Sequence, residues 1–370
     1  MQTIENDTKI EYEHYTNKYK LINFEKTLFF DIETTGFSAK NTKVYMIGIL
    51  FCDKISKTFR TIQWFSDNPD DEILLLTSFV QFSSNYDTLI HYNGKGFDIP
   101  YMEAKFTKHN VEFSFDRFLH IDLYKYATQL KNIFKTPNLK QKTMEEFFDL
   151  NRNDIFGGGD LISVYYDYLN THDERGLNFL TLHNFEDLKG MLTLLNILDY
   201  SGILSGDYEF ISFTVTSATA SDDLSRKEVI IELKLNSTIP KRVSFGNKDF
   251  YMTAFDNKLK IKIDVYSEEL KFFYSNYKDY YYLPEEDMAI HKSVAFYVDK
   301  NFRTRAKAAN CYSKKTGQFL PQYSEIVTPY FKKEWNDKIT YFEILDEFID
   351  NYDLIYRYSK HIIDYLLKIK

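Results

Sequence analysis

Residues 28–37, Leu28-Phe29-Phe30-Asp31-Ile32-Glu33-Thr34-Thr35-Gly36-Phe37, place two carboxylates at the end of an otherwise apolar run. The run reads as a buried strand over 27–36, and side chains alternate along a strand, so Asp31 and Glu33 share one face. An unpaired carboxylate resists leaving water, so two acids on one half-buried face call for a cationic partner. Gly36 lets the backbone turn away after Thr34-Thr35 and leaves open space for a substrate beside Thr34 and Gly36.

Two later segments supply acids of the same kind. Asp98 follows the turn Asn93-Gly94-Lys95-Gly96-Phe97 behind a short strand over 88–92, and Asp187 lies four residues after His183 on a helical stretch. That spacing stacks His183 and Asp187 on one helix face. Oxygen-rich, sulfur-free ligation favours Mg²⁺ or Mn²⁺ over softer metals. Two such ions about 4 Å apart would activate a water and stabilise the leaving oxygen of a phosphodiester. His183, with an ordinary pKa of about 6.5, is suited to take the proton.

The flanking sequence indicates an α/β fold. Strands over 44–52 and 58–65 join 27–36 in an opening antiparallel meander, and 70–86 shows helical spacing behind an acidic cluster. Pro100 is placed to start the next helix at about its first position. This alternation predicts a mixed sheet flanked by helices. After Asp122 the pattern is helical to about residue 200, interrupted by Phe156-Gly157-Gly158-Gly159. That loop reads as a hinge, because no Gly-Lys-Ser/Thr follows it and no strand feeds it, as a phosphate loop would require.

From about 206 the period changes to two: Val229, Ile231, Leu233 and Leu235, then Leu259, Ile261, Ile263 and Val265. Asp256-Asn257 reads as a turn before the second of these strands. A mostly antiparallel β region closed by an amphipathic helix near 339–369 is expected. The boundary falls near 202–210, giving domains over 1–205 and 206–370.

A chain of 370 residues is long enough for two cores. Aromatics make up 18%, but the abundance of Lys, Asn and Ile alongside them points to genome bias as much as to base stacking. Cys52 and Cys311 alone give neither a disulfide framework nor zinc-ligand spacing, which fits a reducing compartment. The polar N-terminus lacks the apolar core of a signal peptide, and no apolar run approaches the roughly 20 residues of a membrane span. A soluble cytoplasmic protein is expected. The net charge of −8 arises within residues 1–200, since the remainder is balanced. Bound cations would offset part of it, so acidity does not exclude a phosphate-bearing substrate, although it argues against tight non-specific coating of DNA.

The segments FFDIETTGF, HYNGKGFDIPYM and HNFEDLKGM resemble the three exonuclease motifs of the DnaQ-like (DEDD) 3′–5′ exonuclease superfamily, whose fold is ribonuclease-H-like. They are most similar to the YprB-type ribonuclease-H-like domain, with its DxETTG start, NGKxFD centre and HNxxD end; the intervening GGGDLISVYYDYLNTHD resembles the same group. The resemblance covers about residues 25–200. It implies Asp31, Glu33, Asp98 and Asp187 as metal ligands, His183 as candidate base, two divalent ions, and removal of nucleotides from a single-stranded 3′ end of DNA or RNA. His183 stands four residues before the final Asp, the spacing at which the tyrosine-bearing branch carries its Tyr; the histidine branch commonly has five.

Blander roles stand beside these. Asp98 could cap the helix near Pro100, Asp122 reads foremost as a helix cap, and Glu186 shares its helix with Asp187. Asn93 and Lys95 are turn residues that could also contact phosphate or sugar. Phe37 and Tyr92 could stack on a terminal base or pack as rim aromatics. The basic run His291, Lys292, Lys300, Arg303, Arg305, Lys307, Lys314 and Lys315 is either a solvated face or a groove guiding a strand. A nucleic-acid- or protein-binding module that kept the fold but lost turnover, and a phosphodiesterase acting on short oligonucleotides or a small nucleotide, are the competing functions.

Overall fold

The computed structural model describes residues 1–152, 157–217 and 227–369. The chain forms two compact units: Met1–Lys131 with Lys135–Leu198, and Asn132–Phe134 with Asp199–Lys370.

The first unit is built on six strands: β1 (Gln2–Glu11), β2 (Thr27–Thr34), β3 (Val44–Asp53), β4 (Thr58–Phe65), β5 (Thr88–His91) and β6 (Leu119–Asp122). Their order is β1-β4-β3-β2-β5-β6, with β2 antiparallel to β3 and parallel to β5. Its helices are α1 (Glu13–Lys18), α2 (Glu72–Ser83), α3 (Asp98–Lys108), α4 (Leu123–Gln129), α5 (Lys131–Phe134), α6 (Gln141–Phe147), α7 (Gly158–Thr171) and α8 (Glu174–Leu194). The expected mixed sheet with flanking helices is present. Helices on both faces explain why β3 is apolar at successive positions instead of alternating.

Strand β2 divides its side chains between two environments. Leu28, Phe30 and Ile32 enter a core with Leu75, Leu76 and Phe79 of α2 and Ile99, Met102 and Phe106 of α3. Asp31 and Glu33 therefore face the other side, where α8 packs on β2 and β3. There Leu161, Tyr165 and Tyr168 of α7 and Leu180 of α8 pack with Met46 and Phe65.

The loop between β2 and β3 is pinned by a buried charge cluster. Glu72, 2% exposed, accepts the Val44 amide at 2.8 Å and approaches Lys105 Nζ at 3.0 Å and His109 Nε2 at 2.9 Å. Lys105 also donates to the Thr42 carbonyl, and the Thr42 and Tyr101 hydroxyls lie 2.6 Å apart.

In the second unit α9 (Ser201–Ser205) precedes β7 (Tyr208–Ser217), β8 (Lys227–Gly246) and β9 (Phe250–Asp264), an antiparallel sheet. Then follow β10 (Tyr266–Phe273), β11 (Tyr280–Leu283), β12 (Met288–His291), α10 (Lys292–Ala295), β13 (Thr304–Arg305), β14 (Tyr312–Gln322), β15 (Thr340–Glu343), α11 (Asp346–Ile349) and α12 (Tyr352–Lys368). Strands β10, β14 and β15 form one small sheet, and β12, β11 and β13 another. The expected antiparallel region with a terminal helix is thus present, with α12 packing on β7, β8 and β9.

Four local expectations are corrected. Helix α3 starts at Asp98, so Pro100 is its third residue, where its missing N–H is still among the unpaired donors of the first turn. Gly157 precedes and Gly158 opens α7, so these glycines begin a helix instead of forming a hinge; Phe156 lies outside the described residues. Asp256 and Asn257 lie inside β9, with Asp256 at φ +54° beside a register shift, so the turn chemistry serves a bulge. The C-terminal amphipathic stretch starts at Tyr352, residues 340–343 being strand β15. Strands β1 and β6 join the sheet without having been anticipated as strands.

Candidate active site

Asp31 and Glu33 meet three residues of α8. Asn184 Nδ2 donates to Asp31 Oδ2 at 2.8 Å. His183 Nε2 lies 3.7 Å from Glu33 Oε1 and 3.2 Å from Asp187 Oδ2. Glu33, His183 and Asp187 each offer a ligand atom within 4.8 Å of the others, a grouping able to hold a metal ion.

Asp98 joins from the other side of β2. It is the first residue of α3 and makes no cap; its Oδ1 accepts the Ile32 amide at 3.2 Å, between the two strand acids. The sequence-predicted carboxylates Asp31, Glu33, Asp98 and Asp187 and His183 are thus brought to one place from β2, α3 and α8.

Crowding and enclosure raise the carboxyls of Asp31, Glu33 and Asp98. Burial, reinforced by Asp187, Asp98 and Glu33, holds Asp31 well above the ordinary carboxylate range, opposed by the Asn184 hydrogen bond. Burial raises Glu33 to about 8, with His183 acting the other way. Burial likewise raises Asp98 to about 7, against hydrogen bonds from its own and the Ile32 amide. Three carboxyls whose negative charge is so poorly compensated suit a hard divalent cation, which would supply the missing positive charge.

Two groups escaped sequence reading. The first is Arg152, whose side chain is 6% exposed: Nη2 reaches Asp187 Oδ1 at 2.7 Å and Glu145 Oε1 at 2.6 Å, while Nε meets Glu145 Oε2. Its Nη1 is buried with no hydrogen-bond partner. Glu145 on α6 is fully buried, with room made by Gly190 of α8, where a Cβ would lie 1.9 Å from Glu145 Oε1.

The second is Asn184, whose Oδ1 accepts from Gln63 Nε2 at 3.0 Å. Gly48 faces Asp31 across β2 and β3, and a Cβ there would come within 2.0 Å of Asn184 Oδ1. The residue signals were a glycine inside an apolar strand and an Asn directly after His183; neither announces its partner, because both partners are remote in sequence.

The surrounding loops place the other candidates. Asn93, at φ +62°, donates its amide to Asp122 Oδ1 at 3.0 Å, and the same oxygen accepts the Tyr124 amide as the cap of α4. His91 Nδ1 accepts the Gly94 amide at 3.1 Å. Asn93 and Lys95 are exposed, whereas the Tyr92 hydroxyl donates to the Leu139 carbonyl at 2.6 Å and its ring meets Tyr124 edge-on. Phe37 is 91% exposed, with Phe97 its edge-on neighbour at 6.1 Å. Thr34 donates its hydroxyl to the Gly36 carbonyl at 3.0 Å, shaping the turn beyond the acids.

Outside this centre, three members of the basic run of the second unit are neutralised. Lys292 pairs with Asp279 at 2.5 Å, Lys314 with Asp287 at 2.6 Å and Lys315 with Glu343 at 2.5 Å. Arg303 lies over the Tyr281 ring and donates to the Ala295 carbonyl. No helix among the described residues is long and apolar enough to cross a membrane.

No curated protein matches the sequence. Among solved structures, the chain is similar to the family B DNA polymerase of the hyperthermophilic archaeon Pyrobaculum calidifontis, at 19% identity and a TM-score of 0.39, over 48% of this chain and 25% of the polymerase. The chain thus spans about a quarter of that enzyme. It is also similar to ExoI in the ExoI/SSB-Ct complex, at 10% identity and a TM-score of 0.28, over 93% of this chain and 74% of that one. A third similarity is to the zinc-bound E. coli ExoI–ssDNA complex, at 9% identity and a TM-score of 0.27, with the same coverage. The RNase_H_2 family, of the RNase_H superfamily, matches residues 28–199, the stretch that carries Asp31, Glu33, Asp98, His183 and Asp187.

Proposed function

We propose that the first unit is a metal-dependent 3′–5′ exonuclease acting on a single-stranded end of DNA or RNA. The observation that carries this reading is the meeting of Glu33, His183 and Asp187 ligand atoms within 4.8 Å, with Asp31 and Asp98 adjoining. The match of residues 28–199 to the RNase_H superfamily supports it, and the likeness of the three motifs to the YprB-type group suggests the polarity. Cys52 and Cys311, both buried and unpaired, accord with a cytoplasmic setting.

Asp31, Glu33, Asp98 and Asp187 would hold Mg²⁺ or Mn²⁺, two ions in the full reading. When bound, such ions lower the pKa of a water and stabilise the leaving oxygen of a phosphodiester. His183 is the proposed general base, with Asp187 at 3.2 Å to orient the ring and stabilise it once protonated. Phe37 offers an exposed ring to a terminal base, and Asn93 and Lys95 offer polar groups to phosphate or sugar. Thr34 and Gly36 border the same approach, while Tyr92 is engaged in packing.

One observation favours a second reading, a binding module without turnover: Arg152 already supplies positive charge to Asp187. Digestion of end-labelled oligonucleotides in Mg²⁺, in Mn²⁺ and in EDTA separates the two, with Asp31→Asn beside the wild type. The nuclease should lose at least ~10²-fold in rate in the variant while still binding the strand. Hydrolysis that persists unchanged in EDTA would exclude the metal mechanism, and no hydrolysis by the wild type in either metal would leave the binding module.

A further inference from the structure

We propose that a groove along α12 in the second unit binds single-stranded nucleic acid. The groove encloses about 910 Å³, within the range of built ligand sites. Positions 357, 361, 365 and 368 recur at helical spacing, so they share one side of α12, alongside the stripe of buried Ile355, Tyr358, Ile362 and Leu366. Arg357 and Lys368 stand at the two ends of that side, separated by about 16 Å of helix. Over such a length a stacked strand presents several phosphates, at ~3.4 Å each.

Charge distinguishes this surface from Lys292, Lys314 and Lys315 of the basic run. Among the described residues, Arg357, Lys368 and Lys338, all exposed and lining the groove, make no ion pair, whereas Lys292, Lys314 and Lys315 are each held by an acid. The groove's single carboxylate, Asp364, is occupied by Lys360. Three uncommitted cations around one concavity raise the local concentration of a polyanion.

The groove also holds an aromatic platform. Tyr365 stacks on Tyr323 with ring centres 3.7 Å apart and planes at 19°. Tyr323 is fixed from behind, its hydroxyl donating to buried Asp249 and its amide to His361 Nε2 at 3.0 Å. A rigid ring pair flanked by cations is what bases and phosphates together require. An acidic peptide would use the cations but not the rings, and the preference for nucleic acid also rests on the nuclease reading of the first unit.

The test measures anisotropy of a fluorescein-labelled oligothymidylate, and of a labelled oligoglutamate, with the full chain in EDTA across a salt series. R357Q/K368Q is compared with K292Q/K315Q, an equal loss of charge at the paired lysines. The groove variant should bind oligothymidylate about 10-fold more weakly at low salt, with its log–log salt slope reduced by about 1.4, while the control stays near wild type. Tyr365→Ala should weaken oligothymidylate without changing that slope. The proposal is overturned if the wild type does not bind oligothymidylate. It is equally overturned if the folded groove variant binds as the wild type does, if the control loses as much, or if oligoglutamate binds more tightly. Failure of the nuclease reading is seen separately, as absence of Mn²⁺-dependent hydrolysis of bis(p-nitrophenyl) phosphate by the wild type, and loss of binding in the groove variant would then still stand.

Discussion

Asp187 is held from two sides, by the His183 ring at 3.2 Å and by the Arg152 guanidinium at 2.7 Å. Because Glu145 anchors the guanidinium as well, Arg152 sets where the Asp187 oxygens point. Arg152→Gln is expected to weaken Mn²⁺ affinity and hydrolysis by ~10–100-fold, the usual cost of losing a group that orients a ligand, with calorimetric Mn²⁺ titration as the check. Unaltered affinity would show the arginine to be a structural strut. The raised carboxyls make a second expectation. Asp31, Glu33 and Asp98 keep protons in the folded chain at pH values where the unfolded chain has released them. The contribution of each to stability is complete below about pH 4 and is lost as pH rises through its own raised folded value, about 7 for Asp98 and about 8 for Glu33. In EDTA this contribution should lower Tm as pH rises from about 5 to 8, and Mn²⁺ should raise Tm more at the upper end, where the acids are ionised. A metal-induced rise in Tm that is independent of pH would refute it.

At the scale of elements, α2, α3 and the loop before β3 are joined by Glu72, Lys105 and His109. Burial would raise the Glu72 carboxyl, but hydrogen bonds from His109, the Val44 amide and Lys105 outweigh it and bring it below its ordinary value. Lys105→Met removes one partner and leaves a buried carboxylate undercompensated, so urea denaturation should report a loss of ~3–5 kcal/mol. Glu72→Leu combined with Lys105→Met should recover much of that, since a buried pair replaced by apolar groups is often neutral. Equal losses in the single and double variants would contradict this account. The elements themselves were legible wherever one period ran unbroken: the β2, β3 and β4 meander, α2, and the alternation along β8 and β9. Strand β1 was not legible, because as a sheet edge it is largely exposed and reads as polar. Strand β6 is too short for its period to show, and Asp256 carries turn chemistry into a bulge.

The whole molecule holds separate apolar cores in its two units, one centred on β2, α2 and α3, another on β10, β14 and β15. Calorimetry is expected to resolve two transitions, and Leu188→Ala, which empties a fully buried position on α8, should destabilise only one of them, by ~2–5 kcal/mol. A single transition shifting as a whole would show the units to unfold together. The sequence alone determined that four acids and a histidine occur at strand ends and on one helix face, because local periodicity and spacing decide which side chains share a face. It determined equally the change from an α/β to an antiparallel β pattern near residue 206. Only the tertiary structure decided that Arg152 and Asn184 serve these acids, that Glu145 and Gly48 make this possible, and that Lys292, Lys314 and Lys315 are each held by an acid while, among the described residues, Arg357, Lys368 and Lys338 are not. These are contacts between residues remote in sequence, set by how helices pack on sheets, and no period along the chain records them.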